Sequence, residues 1–462
     1  MGSNGTGRCT ACRAGAVRHL EDEARGLLSR LARVKSFALH ETMVPAAAVS
    51  VQAQAAIEYT LARGRRELRD AIHAYIRWLR STEADGLPIS ELHRRFALLR
   101  LRFNVVLNHF DLFAIVMTQR SEHDTGVWLS GLDVAATDAL RLPNTDFIGP
   151  PVICYLDRGL GAAIRRAKTR LPGGGENPVA IIRLPRERMI GSGVASSLVH
   201  EVGHQAAALL DLITPLRVVL DGLGRTRSAD AASWQLWSRW ISEIVADFWA
   251  VGQLGIAATS GLMGVLSLPR PFVFRAVHDD PHPTPWIRAR LSCAMGAALY
   301  PDPQWAKLSA MWASFYPPND LDERTRRVFD GLERTMPAFV SVLLNHRARK
   351  LNGISLAEAM PVAERKPSSL RALLARWRPS LDGIRAAPPS LAFAVIGQAR
   401  ADRAISTREE SRLLAELLTG WALRSTIDAS VAYSARFDSS LTRSAAPAAP
   451  KTNRSALASS VA

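Results

Sequence analysis

The 462-residue sequence predicts an α+β protein, predominantly α-helical, in which two helical regions flank a mixed middle segment holding a small sheet. Three observations carry that expectation. Apolar residues recur at spacings of three and four through much of 14–146 and again through 319–435. Two short β-prone runs, Val152–Leu156 and Val179–Leu184, lie in the middle, set off by Pro150-Pro151 and Pro172-Gly173-Gly174-Gly175. No period of about 34 or 40 residues repeats, which argues against a helical solenoid.

Residues 1–13 are polar and Gly-rich, without the apolar stretch of a signal peptide, and are expected to be mobile. Cys9-x-x-Cys12 is half of a zinc knuckle or redox pair whose second half is missing, so it reads as reduced thiols. Ala14–Arg33 and Ala53–Thr82 are helix candidates rich in Ala, Leu, Arg and Glu. Pro88-Ile89-Ser90-Glu91 reads as a helix start with Ser90 as N-cap, opening an apolar helix through Leu92–Gln119. His93, His109 and His123 stand singly and suit packing or solvation better than metal binding.

The texture changes at about residue 147, and 147–318 is expected to form the mixed unit. Within it Asp157–Arg170 reads as helix. Gly173–Gly175 reads as a flexible turn, since no G-K-[ST] follows to make a phosphate loop. Trp234–Gly252 repeats apolar residues at helical spacing and should bury its tryptophans. Phe248–Leu268 carries no charge for about the length of a bilayer span, but Gln253, Thr259, Ser260 and several glycines suit a core helix better. In 319–435, helices are expected over Leu321–Leu351, Ser368–Trp377, Leu391–Ala404 and Leu413–Leu423, the last opened by the capping box Ser406-Thr407-Arg408-Glu409. Residues 436–462, rich in Ser, Ala and Pro, are expected to be a disordered tail.

Apolar residues at 48% and charged residues at 22% describe an ordinary soluble protein, expected in the cytoplasm, with membrane association as the alternative. The net charge of +16 could attract nucleic acid, an anionic membrane or an acidic partner. However, the arginines are spread along the chain without a basic block, so a nucleic-acid partner is not expected. Four cysteines are too few for a secreted disulfide scaffold.

The chemistry concentrates in Ser197–Leu212. His200 and His204 stand four apart, so on a helix both imidazoles share one face and can hold one metal ion, with Glu201 beside them as general base. A hydrolytic zinc takes three protein ligands and keeps one position open. Glu243 and Asp247 put two carboxylates on one face of an otherwise apolar helix, where burial is costly unless they are paired or metal-bound. Glu243 is therefore the candidate third ligand. Asp247 is the candidate acceptor that orients a ligating histidine through its other ring nitrogen. Asp211, His278 and Asp279 are weaker ligand candidates.

The pattern His200-Glu201-Val202-Gly203-His204 followed by Glu243-Ile244-Val245-Ala246-Asp247 resembles the gluzincin metallopeptidases. His282-Pro283-Thr284-Pro285-Trp286-Ile287-Arg288 looks like the H-P-x-x-x-x-R element of the HtpX-like and CaaX-prenyl-protease-like branch. The match covers roughly 150–300, and a clear set of membrane spans is lacking. The resemblance implies a zincin-like core with a small sheet and an active-site helix, bound Zn²⁺, and hydrolysis of protein or peptide substrates. It also implies that His282 and Arg288 sit at the cleft rim, stabilising the oxyanion and bracing the Glu243 region, and that an edge strand, with Val179–Leu184 the candidate, lies along the cleft. A metal-stabilised regulatory or interaction protein, with one dedicated substrate or none, is the competing reading. Glu201 separates the two, since only an enzyme requires it.

Overall fold

Helices make up most of the molecule, and one three-stranded sheet interrupts them. The computed structural model describes the chain except residues 1–3, 35–42, 143–144, 146, 160, 171–175, 187–190, 227, 276–279, 381 and 445–462. Gly173–Gly175, His278 and Asp279 therefore lie outside the described residues.

Helices α1 (Asn4–Arg33), α2 (Val51–Leu79) and α3 (Ile89–Gln119) pack together around Leu27, Leu31, Leu68, Ile72, Phe96 and Phe103. Because α1 starts at Asn4, most of 1–13 is helical rather than irregular, and Cys12 is exposed on it. Ser90 is not a cap. Pro88, with φ −60° and an extended ψ, takes the N-cap place, and Ser90 falls inside the first turn. Among the described residues, α3 is the helix long and apolar enough by composition to cross a membrane.

The strands are β1 (Val152–Asp157), β2 (Ala163–Arg165) and β3 (Ala180–Pro185), in the order β1-β3-β2. β3 runs parallel to β1 and antiparallel to β2. Two expectations change here. Val179–Leu184 contributes the central strand and not an edge, and Asp157–Arg170 holds a strand where helix was expected. Pairing of Ala163–Arg165 with Ile181–Arg183 overrides the local helical pattern, and Asn177 donates to the Arg165 and Arg166 carbonyls to hold the loop that follows.

Side chains alternate across the sheet. Val152, Cys154, Leu156, Ala180, Ile182 and Leu184 enter the large core, while Ile153, Val179 and Ile181 face α2 and α3. Both faces are covered, which is why these strands read as continuous apolar runs. The outer edge of β1 is also sealed. Asp133 accepts from Cys154 N at 2.6 Å, Arg120 donates to Cys154 O at 2.7 Å, and Gln119 exchanges hydrogen bonds of 2.8 and 2.6 Å with Leu156. These side chains do what a further strand would otherwise do.

Among the described residues the remaining long helices are α4 (His123–Ala139), α5 (Ser192–Leu209), α6 (Ile213–Thr226), α7 (Ala231–Leu254), α8 (Ile256–Leu266), α9 (Pro285–Leu299), α10 (Gln304–Phe315), α11 (Glu323–Leu344), α12 (Pro367–Trp377), α13 (Pro389–Ala401) and α14 (Thr407–Ser444). They share one hydrophobic core, reaching from Leu129 to Trp421. At its centre α7 buries Trp234, Trp237 and Trp249. Trp237 stacks on Phe339 at 4.6 Å and donates to Thr335, and Trp249 donates to the Ala139 carbonyl. Phe248–Leu268 is largely buried, apart from Ser260, Gly264, Ser267 and Leu268, but is two helices, because Gly255 turns the chain at φ 58°, where a side chain is disfavoured. α11 stops at Leu344, short of Leu351. The Ser406–Glu409 capping box forms as expected, and α14 then continues through 436–444, where disorder was expected.

Candidate metal centre

α5 carries His200, Glu201 and His204, and α7 carries Glu243 and Asp247. The two helices touch where Gly203 meets Ala246. A Cβ at Gly203 would lie 2.8 Å from Ala246 Cα and 2.9 Å from both the Ala246 carbonyl oxygen and Trp249 Cβ. Glycine inside a helix costs about 1 kcal/mol relative to alanine, and here the close approach requires it.

That contact brings the ligand candidates together. One donor atom each from His200, His204 and Glu243 lies within 4.8 Å of the others. His200 Nε2 is 3.3 Å from Glu243 Oε2, and His204 Nε2 is 3.4 Å from Glu243 Oε1. On the far side of the ring, His200 Nδ1 is 2.8 Å from Asp247 Oδ1. Asp247 therefore stands where an orienting acceptor is needed.

Arg288 lies elsewhere than the cleft rim. It is buried beneath the site, with Nε 2.7 Å from Asp247 Oδ2 and Nη2 2.9 Å from Asp247 Oδ1. The planar guanidinium matches the carboxylate at two points, and that fit holds it inward. His282 does lie at the mouth, half exposed, with Nε2 3.3 Å from Glu243 Oε2. Its Nδ1 and its backbone N both reach Asp280 Oδ1, at 2.8 and 2.9 Å. The sequence reading missed Asp280. An Asp two residues ahead of a motif histidine is the available signal, because its side chain can accept from the backbone two residues on. Asp211 is exposed at the end of α5 with φ 53° and takes no part in the group.

The electrostatics follow from burial set against these partners. Burial raises the pKa of the Glu201 carboxyl, with His200 and His204 pulling the other way. Burial would raise Glu243 too, but the His200 and His204 imidazoles beside it outweigh burial and hold Glu243 well below the usual range. Asp247 is likewise desolvated, yet Arg288 and His200 hold it at about 2. In the cation-free protein burial lowers the affinity of His200 for its proton, but the hydrogen bond to Asp247 and the nearby Glu243 carboxylate prevail and raise its pKa to about 9.

Glu243 Oε2 is buried and makes no well-aligned hydrogen bond, although nitrogens of His200, His282 and Arg288 stand within 3.7 Å. A buried acceptor left in that state is costly. A cation between the two imidazoles and this carboxylate would relieve it, so the residues present fit a metal. Comparisons with protein-family models, curated proteins and solved structures gave no match.

Proposed function

We propose that this chain is a zinc-dependent endopeptidase of the gluzincin type, with a zincin-like core built from α5, α7 and the sheet. The observation that carries the reading is the convergence of His200, His204 and Glu243 within 4.8 Å. Two imidazoles and one carboxylate suit zinc better than harder cations, and three protein ligands leave a position open. When bound, the metal supplies Lewis acidity, polarising a peptide carbonyl and acidifying water.

The protein's own residues do the rest. Asp247 accepts from His200 Nδ1–H and so keeps the lone pair of Nε2 directed at Glu243 and His204. Arg288 neutralises Asp247, so that this second carboxylate does not draw a proton from solvent. Glu201, its pKa raised by burial, is a stronger base than an ordinary carboxylate; it takes the proton from the attacking water and returns it to the leaving amine. His282, held through Nδ1 by Asp280, stands at the mouth where negative charge develops on the carbonyl oxygen. Among the described residues, β2 ends the sheet on the side away from β1. Gly161 and Ala162, just ahead of it, line the same cavity as His200 and Glu201, so an extended peptide can pair along β2 above the site.

Metal analysis of the purified protein beside His204→Ala, with peptide hydrolysis by wild type and Glu201→Gln, tests this. Expected are one zinc per chain, none in His204→Ala, and an inactive Glu201→Gln that keeps its zinc. A wild type that holds no stoichiometric metal, or an active Glu201→Gln, refutes the assignment.

A further inference from the structure

The strand that borders the cleft and the helix that carries two of the metal-ligand candidates are separate elements, and a buried side chain ties them together. Gln205 follows His204 on α5 and stands one turn after Glu201, so Gln205 and Glu201 share a face of the helix. Its Oε1 accepts from Ala167 N at 2.8 Å, two residues beyond β2. Of the two ends of the amide only the oxygen can accept, so this bond also fixes which way the amide is turned. The other end, Nε2, is buried and makes no hydrogen bond among the described residues. A buried amide with an idle donor is costly, and an apolar side chain of similar length would avoid that cost. It would also leave Ala167 N without its acceptor.

That acceptor bears on a short strand at the end of the sheet. β2 is only Ala163–Arg165, paired to β3. Asn177 donates to the Arg165 and Arg166 carbonyls and ties the chain after β2 to the approach to β3. Those contacts hold β2 within the sheet, whereas the bond to Gln205 holds it to α5. Ahead of β2, Gly161 and Ala162 line the cavity together with His200 and Glu201. The distance between a peptide lying along β2 and a metal held by α5 is therefore set across the contact of Gln205 with Ala167. Resting on the peptidase reading above, we propose that Gln205 is a positioning residue. It fixes β2 over the metal centre and so decides which bond of an extended peptide is cut. A misplacement of about 1 Å in such an arrangement costs on the order of 100-fold in rate.

The test uses full-length, zinc-loaded protein and a mixture of quenched fluorescent peptides of about ten residues, long enough to pair along a strand. The peptide that wild type cleaves best is carried forward, and product masses locate its cuts. Gln205→Met keeps the length of the side chain and removes the oxygen. It should lower kcat/KM about 10- to 100-fold and spread the cuts over neighbouring bonds. Its zinc affinity should stay within about twofold of wild type, where loss of a ligand's own hydrogen-bond partner costs about 10- to 100-fold. Gln205→Glu keeps an acceptor oxygen and should restore most of the activity and the single cut. Circular dichroism checks folding, and Gln205→Asn, which withdraws the oxygen by one methylene, replaces Gln205→Met if that variant does not fold. Three results overturn the positioning role and leave the peptidase reading intact. One is a folded Gln205→Met or Gln205→Asn that cuts the wild-type bond at the wild-type rate. Another is a zinc affinity that falls in step with activity, which would place the fault in the metal site itself. The third is a folded Gln205→Glu no better than Gln205→Met. No cleavage of any peptide by the zinc-loaded wild type overturns both readings.

Discussion

Helices α7 and α3 are both long and largely apolar, yet they treat their side chains in opposite ways. α7 buries two carboxylates, with Glu243 8% and Asp247 4% exposed. α3 leaves Leu98, Leu101 and Ile115 between 51% and 61% exposed. Exposed apolar residues are common on any protein surface and identify nothing by themselves, whereas a buried charge persists only if specific partners hold it. On α7 those partners come from two other helices, His200 and His204 from α5 and Arg288 from α9. The contrast locates the chemistry on the helix that carries charge where its apolar neighbours would exclude it.

The largest effect should come from breaking the pair that makes burial on α7 tolerable. Asp247→Ala leaves Arg288 buried without its carboxylate, and such a loss costs about 3–5 kcal/mol. The double variant Asp247→Ala with Arg288→Met should recover much of that stability in urea unfolding, but not metal affinity, because His200 Nδ1 still lacks its acceptor. If the double variant is no more stable than the single, the pairing is not what holds this end of α7.

Gly203→Ala attacks the same helix from the α5 side. The new methyl meets Ala246 backbone at 2.8 Å, so the helices must separate or shift. Overpacking of this kind costs about 1–3 kcal/mol, against about 1 kcal/mol regained in helix propensity. Zinc affinity should fall more clearly than stability, because all three ligand candidates depend on the separation of α5 and α7. Unchanged zinc affinity would show that the two helices tolerate a wider seam.

A pH titration should give a smaller effect, present only without metal. The pKa of His200 is raised from 6.5 to about 9 in the cation-free fold. Its contribution is therefore complete below about pH 6.5 and is lost as pH rises through about 9. With allowance for the partial exposure of the ring, the change is on the order of 1–2 kcal/mol. Saturating zinc should remove that loss, because the cation requires the neutral ring and the unfolded ring is already largely neutral above about pH 6.5. Thermal unfolding at pH 6.5 and 9, with and without zinc, reads both slopes, and the same slope in both states would remove His200 from the ligand set.

What the sequence revealed follows the range of the interactions involved. The faces shared by His200 and His204, and by Glu243 and Asp247, depend only on helical pitch, and charges inside an apolar run stand out without any knowledge of the fold. The Ser406–Glu409 box is equally local. The rank of a strand is not local. β3 is central because Ala163–Arg165, read as helix, pairs on one side of it and β1 on the other, with β1 sealed by Gln119, Arg120 and Asp133. The rim position expected of Arg288 fails for the same reason, although the residue does stand against the Glu243 and Asp247 carboxylates. Its inward position depends on how α9 lies against α7, which no spacing within 282–288 encodes.

The smallest expected effect is on α3. Replacing Leu98 or Leu101 by Lys puts a charge where the side chain already meets solvent, and surface changes of this kind stay within about 0.5 kcal/mol. Zinc content and peptide hydrolysis should be unaltered, since α3 meets the sheet through Gln119 and the buried side chains Phe110, Phe113, Val116 and Met117, and not through these leucines. The measurement that matters is sedimentation of wild type and Leu101→Lys with and without anionic vesicles. No binding by either would mean that α3 tolerates solvent as an ordinary surface helix does. Vesicle binding by wild type, lost in Leu101→Lys while zinc is kept, would show that the exposed leucines have a partner, and the contrast with α7 would then be between two functional helices.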